Sequence, residues 1–188
     1  MSAVTALEME QVVNAPGSYG EVIPGTGKSS HLAGAGEYLS FRLGAEEYGI
    51  EILKVQEIRS FEEPTKIANA TPAVRGVVNL RGVIVPIIDL RLMFNLPEAK
   101  HDALTVTIVL SIAGHTIGVV VDAVSDVNEL KANQIRPAPH ISGINSALCI
   151  TGMGVIDDAN GKQRMMILLD VQAMLTASGA GILDLGSP

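Results

Sequence analysis

The chain has 188 residues, a formal charge of −7, three Phe, three Tyr and no Trp. That length bounds it to one ordinary domain or two small, intimate ones with room for a sizeable core. The acidic balance and missing aromatic platforms argue against a nucleic-acid binder, which relies on Lys and Arg at phosphates and on rings under bases.

Residues 1–36 are small and polar, with Gly17, Gly20, Gly25, Gly27, Gly34 and Gly36 and two prolines. This composition buries little apolar surface and predicts a mobile tail. No basic stretch followed by an apolar core marks a signal peptide. The phrase GTGKSS at 25–30 imitates a phosphate-binding loop. It lacks the first glycine, whose place is taken by Val22, and the preceding strand, so it belongs to the tail.

From Glu37 the chain is strand-rich. YLSFRL (38–43) alternates, Gly44-Ala45-Glu46-Glu47 turns, and YGIEI (48–52) returns. LKVQEIRSF leads to a Pro-bearing loop ending near Pro72, and GVVNL and GVIVPIIDL follow, separated by Arg81-Gly82. RLMFNL (91–96) has the length of one helical turn. Residues 104–121 run without a formal charge, near the lower limit for a membrane-spanning helix. Gly114, His115 and Thr116 interrupt the run, and its Thr, Val and Ile suit a pleated surface, predicting strands over 105–112 and 116–121. Asp157-Asp158 before Ala159-Asn160-Gly161 reads as a hairpin turn. VQAMLTAS (171–178) is the best helix, opened by Asp170 and stopped at Gly179. Short strands and frequent glycines favour an all-β barrel architecture.

The sequence also repeats. EYLSFRLGAEEYGIEILKVQEI lies against LTVTIVLSIAGHTIGVVVDAVSDV, matching Gly49 to Gly118, Val55 to Val124, Glu57 to Asp126 and Ile58 to Val127. VIVPIIDLRLMF likewise matches MMILLDVQAML, each an apolar strand ending in an aspartate, Asp89 or Asp170. A period of about seventy residues is too long for a solenoid and fits two copies of a small β-barrel. Barrels of that size are marginal alone, so the two should share an apolar interface.

Asp89, with Arg75, Arg81 and Arg91 nearby in sequence, raises the possibility of an anion-gripping active site. An aspartate recurring at the strand-to-helix joint of both copies is better read as a cap. His31, His101, His115 and His140 show no metal-ligand spacing, and no Gly-x-Ser-x-Gly elbow is present. Glu46-Glu47 and Glu62-Glu63 fall in turns, where solvated charge is the ordinary explanation. The single cysteine, Cys149, lies in the apolar run ALCI and reads as a buried small hydrophobe. No enzyme, cofactor or metal is expected. What stands out is ILKVQEI, where Glu57 sits among Val55 and Ile58. That pattern fits a strand with an outward charge and a protein-docking groove equally well.

Four phrases in order carry a resemblance: EEYGIEILKVQEIR (46–59), IANATPAVRGVVNLRGVIVPIIDLR (67–91), GVVVDAVSDV (118–127) and QIRPAP (134–139). The chain resembles the CheW family of chemotaxis coupling proteins from Glu37 to Leu175. The resemblance implies two SH3-like five-stranded barrels, over about 37–104 and 105–178, packed around a common core with a short C-terminal helix. It implies a non-enzymatic, cytoplasmic adaptor between the tips of transmembrane chemoreceptors and the histidine kinase CheA. By the same likeness, Val55, Glu57, Ile58, Arg81, Val124 and Val127 are receptor-facing, and Gly76, Gly118, Arg136 and Ile141 face the kinase regulatory domain. The sequence departs from the family after QIRPAP, where His140-Ile141 replace an acidic and an aromatic residue. A scaffold for another chemosensory output would share these motifs. An RNA-binding SH3-like barrel is opposed by the charge and aromatic content.

Overall fold

The computed structural model describes residues 33–97, 101–138, 149–157 and 161–177. The segment through residue 32 with GTGKSS and His31, then His140 and Ile141, residues 158–160 of the expected hairpin turn, and residues from 178 onward lie outside these.

Eleven strands and two short helices are formed by the described residues. The strands β1 (Gly36–Leu43), β2 (Glu46–Glu51) and β3 (Val55–Ser60) come first, with a 3-10 turn at Ile52–Lys54 before β3. Then come β4 (Val74–Leu80), β5 (Val83–Asp89) and helix α1 (Leu90–Met93). The second copy supplies β6 (Val106–Ile112), β7 (His115–Val121), β8 (Ala123–Leu130), the two-residue β9 (Ile135–Arg136), β10 (Ile150–Asp157), β11 (Gln163–Leu169) and helix α2 (Val171–Ala177). Tight turns set the hairpins. Leu80 pairs with Val83 across Arg81-Gly82, and both turn residues have positive φ (54° and 90°), the geometry of a type I′ hairpin turn.

At its first described residues the chain already packs on the barrel, where the composition predicts a mobile tail. The Ala33 amide donates to Thr151 O at 3.3 Å, and the Tyr38 hydroxyl donates to Gly34 O at 2.7 Å. Partners in the barrel outweigh a tail-like composition at these positions.

The strands form two sheets, β8-β1-β2-β11-β10-β9 and β3-β6-β7-β5-β4. The first is thus built from residues 36–51 and 123–169, the second from the continuous stretch 55–121. Equivalent pairings appear in both. Strand β3 pairs antiparallel with β6 as β8 does with β1, and β5 pairs parallel with β7 as β11 does with β2. The repeat is real, but sheet membership changes at 52–54 and at 122 rather than at 104–105. The first hairpin of each copy joins the other copy's sheet: β1 and β2 lie with β8 to β11, and β6 and β7 lie with β3 to β5.

Burial explains the long uncharged run. On β7, Val119 and Val121 enter the large shared core while Val120 enters the small core inside the second sheet's barrel with Val85 and Ile87. A central strand covered on both faces has no solvated positions, so it reads as a continuous apolar stretch. None of the described helices is long and apolar enough to cross a membrane. The shared core gathers Leu39, Phe41, Ile50, Ile88, Ile108, Leu110 and Cys149 with residues of α2, and Phe41, Tyr48 and Phe94 stack within it at centroid separations of 6.0 and 5.6 Å. The other barrel has its own small core of Tyr38, Leu130, Ile156, Met166 and Leu168. The architecture is two SH3-like barrels around one common core.

Candidate functional site

Apart from Arg81 in the β4–β5 turn, the candidate receptor-facing residues lie on β3 and β8, which end the two sheets. Val55 and Ile58 are three apart, and a regular strand would point them to opposite faces. A bulge removes the conflict. Val55 pairs with Leu110, Glu57 with Val109 and Ile58 with Ile108, leaving Gln56 as the extra residue. Leu110 and Ile108 both belong to the shared core, so Val55 and Ile58 stand on that side and Glu57 on the other. Strand β8 repeats the device: Val124 pairs with Phe41 and Val127 with Leu39, with Ser125 and Asp126 between them. Phe41 and Leu39 are again shared-core residues. Val55 and Val124 pack against that core, while Ile58 and Val127 are each 44% exposed. The four apolar candidates therefore flank the same core, two anchored in it and two presented to solvent.

Glu57 and Arg81 meet. Arg81 Nη2 lies 3.3 Å from Glu57 Oε2, and Arg59 Nη1 lies 3.6 Å from Glu57 Oε1. Arg59 also reaches Glu62 at 3.5 Å. The Arg81 side chain is 83% exposed, held at the turn tip by a backbone conformation that an L-residue adopts at some cost. The Asn79 side chain closes the turn, its Oδ1 accepting from Gly82 N at 2.7 Å. Arg81 is thus a guanidinium presented outward with one edge tethered to a carboxylate.

The candidate kinase-facing residues occupy different environments. Arg136 is exposed on β9. Gly76 and Gly118 are buried. A Cβ on Gly76, whose φ is 142°, would lie 2.1 Å from the backbone oxygen of Thr65; one on Gly118 would lie 2.4 Å from Ile87 Cδ1 and 2.9 Å from Thr107 Cγ2. Both glycines let neighbouring chain segments approach, and any effect on a partner runs through the backbone they shape. Ile141 lies outside the described residues.

Asp89 is a cap. It is 3% exposed, and its Oδ1 accepts the amides of Arg91 at 2.9 Å and Leu92 at 3.3 Å. Asp170 does the same for α2 through Ala173 N at 3.0 Å. The backbone matches too, since Asp89 N donates to Ala73 O and Asp170 N to Cys149 O. His101 lies 3.9 Å from the other Asp89 oxygen with its ring against Phe61. Among the described residues no three His, Cys, Asp or Glu side chains converge as a metal site requires. Cys149 is buried, and desolvation pushes its thiol pKa up, away from the reactive thiolate. Arg91 contacts groups that belong to the protein itself. Its Nη1 binds Asp122 at 2.5 Å while Nε and Nη2 bind Pro97 O at 2.9 and 2.7 Å.

Sequence reasoning missed Asp122, which ties Arg91 to the β1–β2 turn by also accepting from Gly44 N at 2.6 Å. It also missed a partly buried polar chain in the other barrel. Arg164 binds both oxygens of Glu47 at 2.6 and 2.7 Å and reaches Asn128 Oδ1 at 3.3 Å. Asn128 in turn meets Ser40 at 3.2 Å. The repeat contained the only usable signal, a serine at 40 and an arginine at 164 where the opposite copy has Val109 and Val83 respectively.

A sequence profile of the CheW-like domain matches residues 37–179. The chain is 47% identical over 148 residues to Chemotaxis protein CheW of Klebsiella aerogenes, covering 79% of this chain and 86% of that protein. It is 30% identical to Chemotaxis protein CheW of Bacillus subtilis, covering 72% and 83%. The fold is similar to a crystal structure of the scaffolding protein TtCheW from Thermoanaerobacter tengcongensis, with a TM-score of 0.67, 29% identity, and coverage of 74% and 92%.

Proposed function

Because this chain belongs to the CheW family, we propose that it is a non-enzymatic adaptor coupling chemoreceptors to the histidine kinase CheA. Relatives named as chemotaxis proteins and a neighbour named as a scaffolding protein support the adaptor role. The observation that carries the docking assignment is the pair of matched bulges. They set Val55, Ile58, Val124 and Val127 beside one core, with Glu57 of β3 paired to Arg81 of the β4–β5 turn. An apolar strip with a register-fixing charge suits the side of a receptor helix. The kinase regulatory domain is assigned to the face around Arg136, to Ile141 by family resemblance, and to backbone shaped by Gly76 and Gly118. The adaptor acts in the cytoplasm at receptor arrays.

Binding of the full chain to a soluble receptor fragment and to CheA, followed by phosphotransfer, tests the proposal. The chain alone turns over no ATP, and receptor accelerates CheA only when the chain is added. Failure to bind either partner, or turnover by the chain alone, overturns it.

A further inference from the structure

The two matched bulges are not held in the same way. In the first, the rung beyond the bulge is an ordinary pair, Glu57 with Val109. The repeat makes Ser40 the counterpart of Val109 and Asp126 that of Glu57, yet Ser40 and Asp126 form no such pair in the β1–β8 ladder. A side chain replaces the missing rung. The Ser40 hydroxyl donates to Asp126 O at 2.9 Å and accepts from Asp126 N at 3.1 Å, and it also accepts from Asn128 Nδ2 at 3.2 Å. One donor and two lone pairs are all a hydroxyl has, and all three are used.

Ser40 is fully buried, so water cannot substitute for it. Asn128 is itself fixed by Arg164, which is clamped to Glu47. The peptide groups of Asp126 are thus wired through β1 to β11 and β2. Asp126 immediately precedes Val127, and its Oδ1 accepts the Val127 amide at 2.8 Å. The bulge is what turns Val127 to the side of Val124. If it slipped by one residue, Val127 would face the other way, because side chains alternate along a strand.

We propose that Ser40 is a positioning residue for the receptor groove: it touches no partner, and it locks the β8 bulge that presents Val127. The inference rests on the receptor assignment made above. In the full chain, Ser40→Ala and Ser40→Val (the side chain used in the other copy) should each weaken binding to a soluble receptor fragment about five-fold, measured well below the melting transition. Affinity for the CheA regulatory domain should stay within about two-fold of wild type, and exchange of the Asp126 amide should accelerate. Val127→Ala is the reference. If Val127→Ala weakens receptor binding and the Ser40 variants do not, the positioning role alone is wrong. If Val127→Ala leaves receptor binding intact, the groove assignment is wrong and takes the positioning role with it. Equal losses for receptor and kinase would mean general destabilisation and would also overturn it.

Discussion

Arg81 and Arg91 flank the same hairpin strand, and changing each to alanine should yield opposite phenotypes. Arg91 is 15% exposed and makes three charged contacts, one to Asp122 and two to Pro97 O. A hydrogen bond to a charged group contributes about 1.5–3 kcal/mol, and the three contacts share one side chain at a partly solvated site. Arg91→Ala should therefore cost roughly 2–3 kcal/mol, leaving Asp122 with Gly44 N. For a domain of this size that is a fall of roughly 4–12 °C in Tm. Arg81 is 83% exposed, and its one ion pair contributes at most about 0.2–1 kcal/mol to stability. Arg81→Ala should move Tm by only a few degrees yet weaken receptor binding at least about tenfold, or roughly 1.4 kcal/mol. Thermal melts and receptor titrations of both variants, run side by side, decide it. An Arg91→Ala protein that melts like wild type but loses receptor binding would refute the division, as would an Arg81→Ala protein that loses stability and no affinity.

Gly76→Ala should destabilise by about 3 kcal/mol or more, because it combines an unfavourable φ with a backbone collision and threatens the two Thr65–Val77 hydrogen bonds; a urea midpoint within experimental error of wild type would contradict this. Burial raises the Cys149 pKa above its ordinary value of 9.0, and it also raises those of Tyr38 and Tyr48 above 10.0, with Glu51 and Glu46 adding to the respective shifts. The native chain then keeps protons that the unfolded chain releases. The resulting stability is complete below pH 9 and is lost as pH rises through the raised native values. Tm should accordingly begin to fall near pH 9, and Cys149→Ala should delay that onset; an unchanged profile in the variant would remove Cys149 from the account. A chain starting at Ala35 should melt a few degrees below one starting at Ala33, since it loses the Ala33–Thr151 bond and the acceptor for Tyr38; equal melting temperatures would mean those contacts contribute nothing.

Strands β1, β2, β4 to β7 and β11, the glycine turns at 82 and 114, and the paired aspartate caps were legible because each depends on neighbours in sequence. Period-two alternation and an Asp before an apolar turn are local signals. The exchange of first hairpins between the two copies was not legible. A repeat says that β3 and β8 are equivalent, but it does not say whether β6 or β1 lies beside β3. The bulges were hidden for the same reason: Gln56 and Ser125 become extra residues only relative to a partner strand. Val55 and Ile58 were nominated by resemblance, and only the register explains how two residues three apart share a face. Ser40 had no local signal at all, since its partner Asp126 is 86 positions away.

The chain passes between the two sheets twice, at Ile52–Lys54 and at Asp122, and the groove candidates come directly after each passage. Two barrels joined by one tether could swing like a gate. These are stitched by two strands of the same thread, over a core that both contribute to, so the joint has no free hinge. A load applied at Val55 or Val124 enters the molecule at its seams and is shared by both barrels from the first contact. The adaptor should therefore behave as a stiff spacer that transmits the placement of one partner to another, without a shape change of its own.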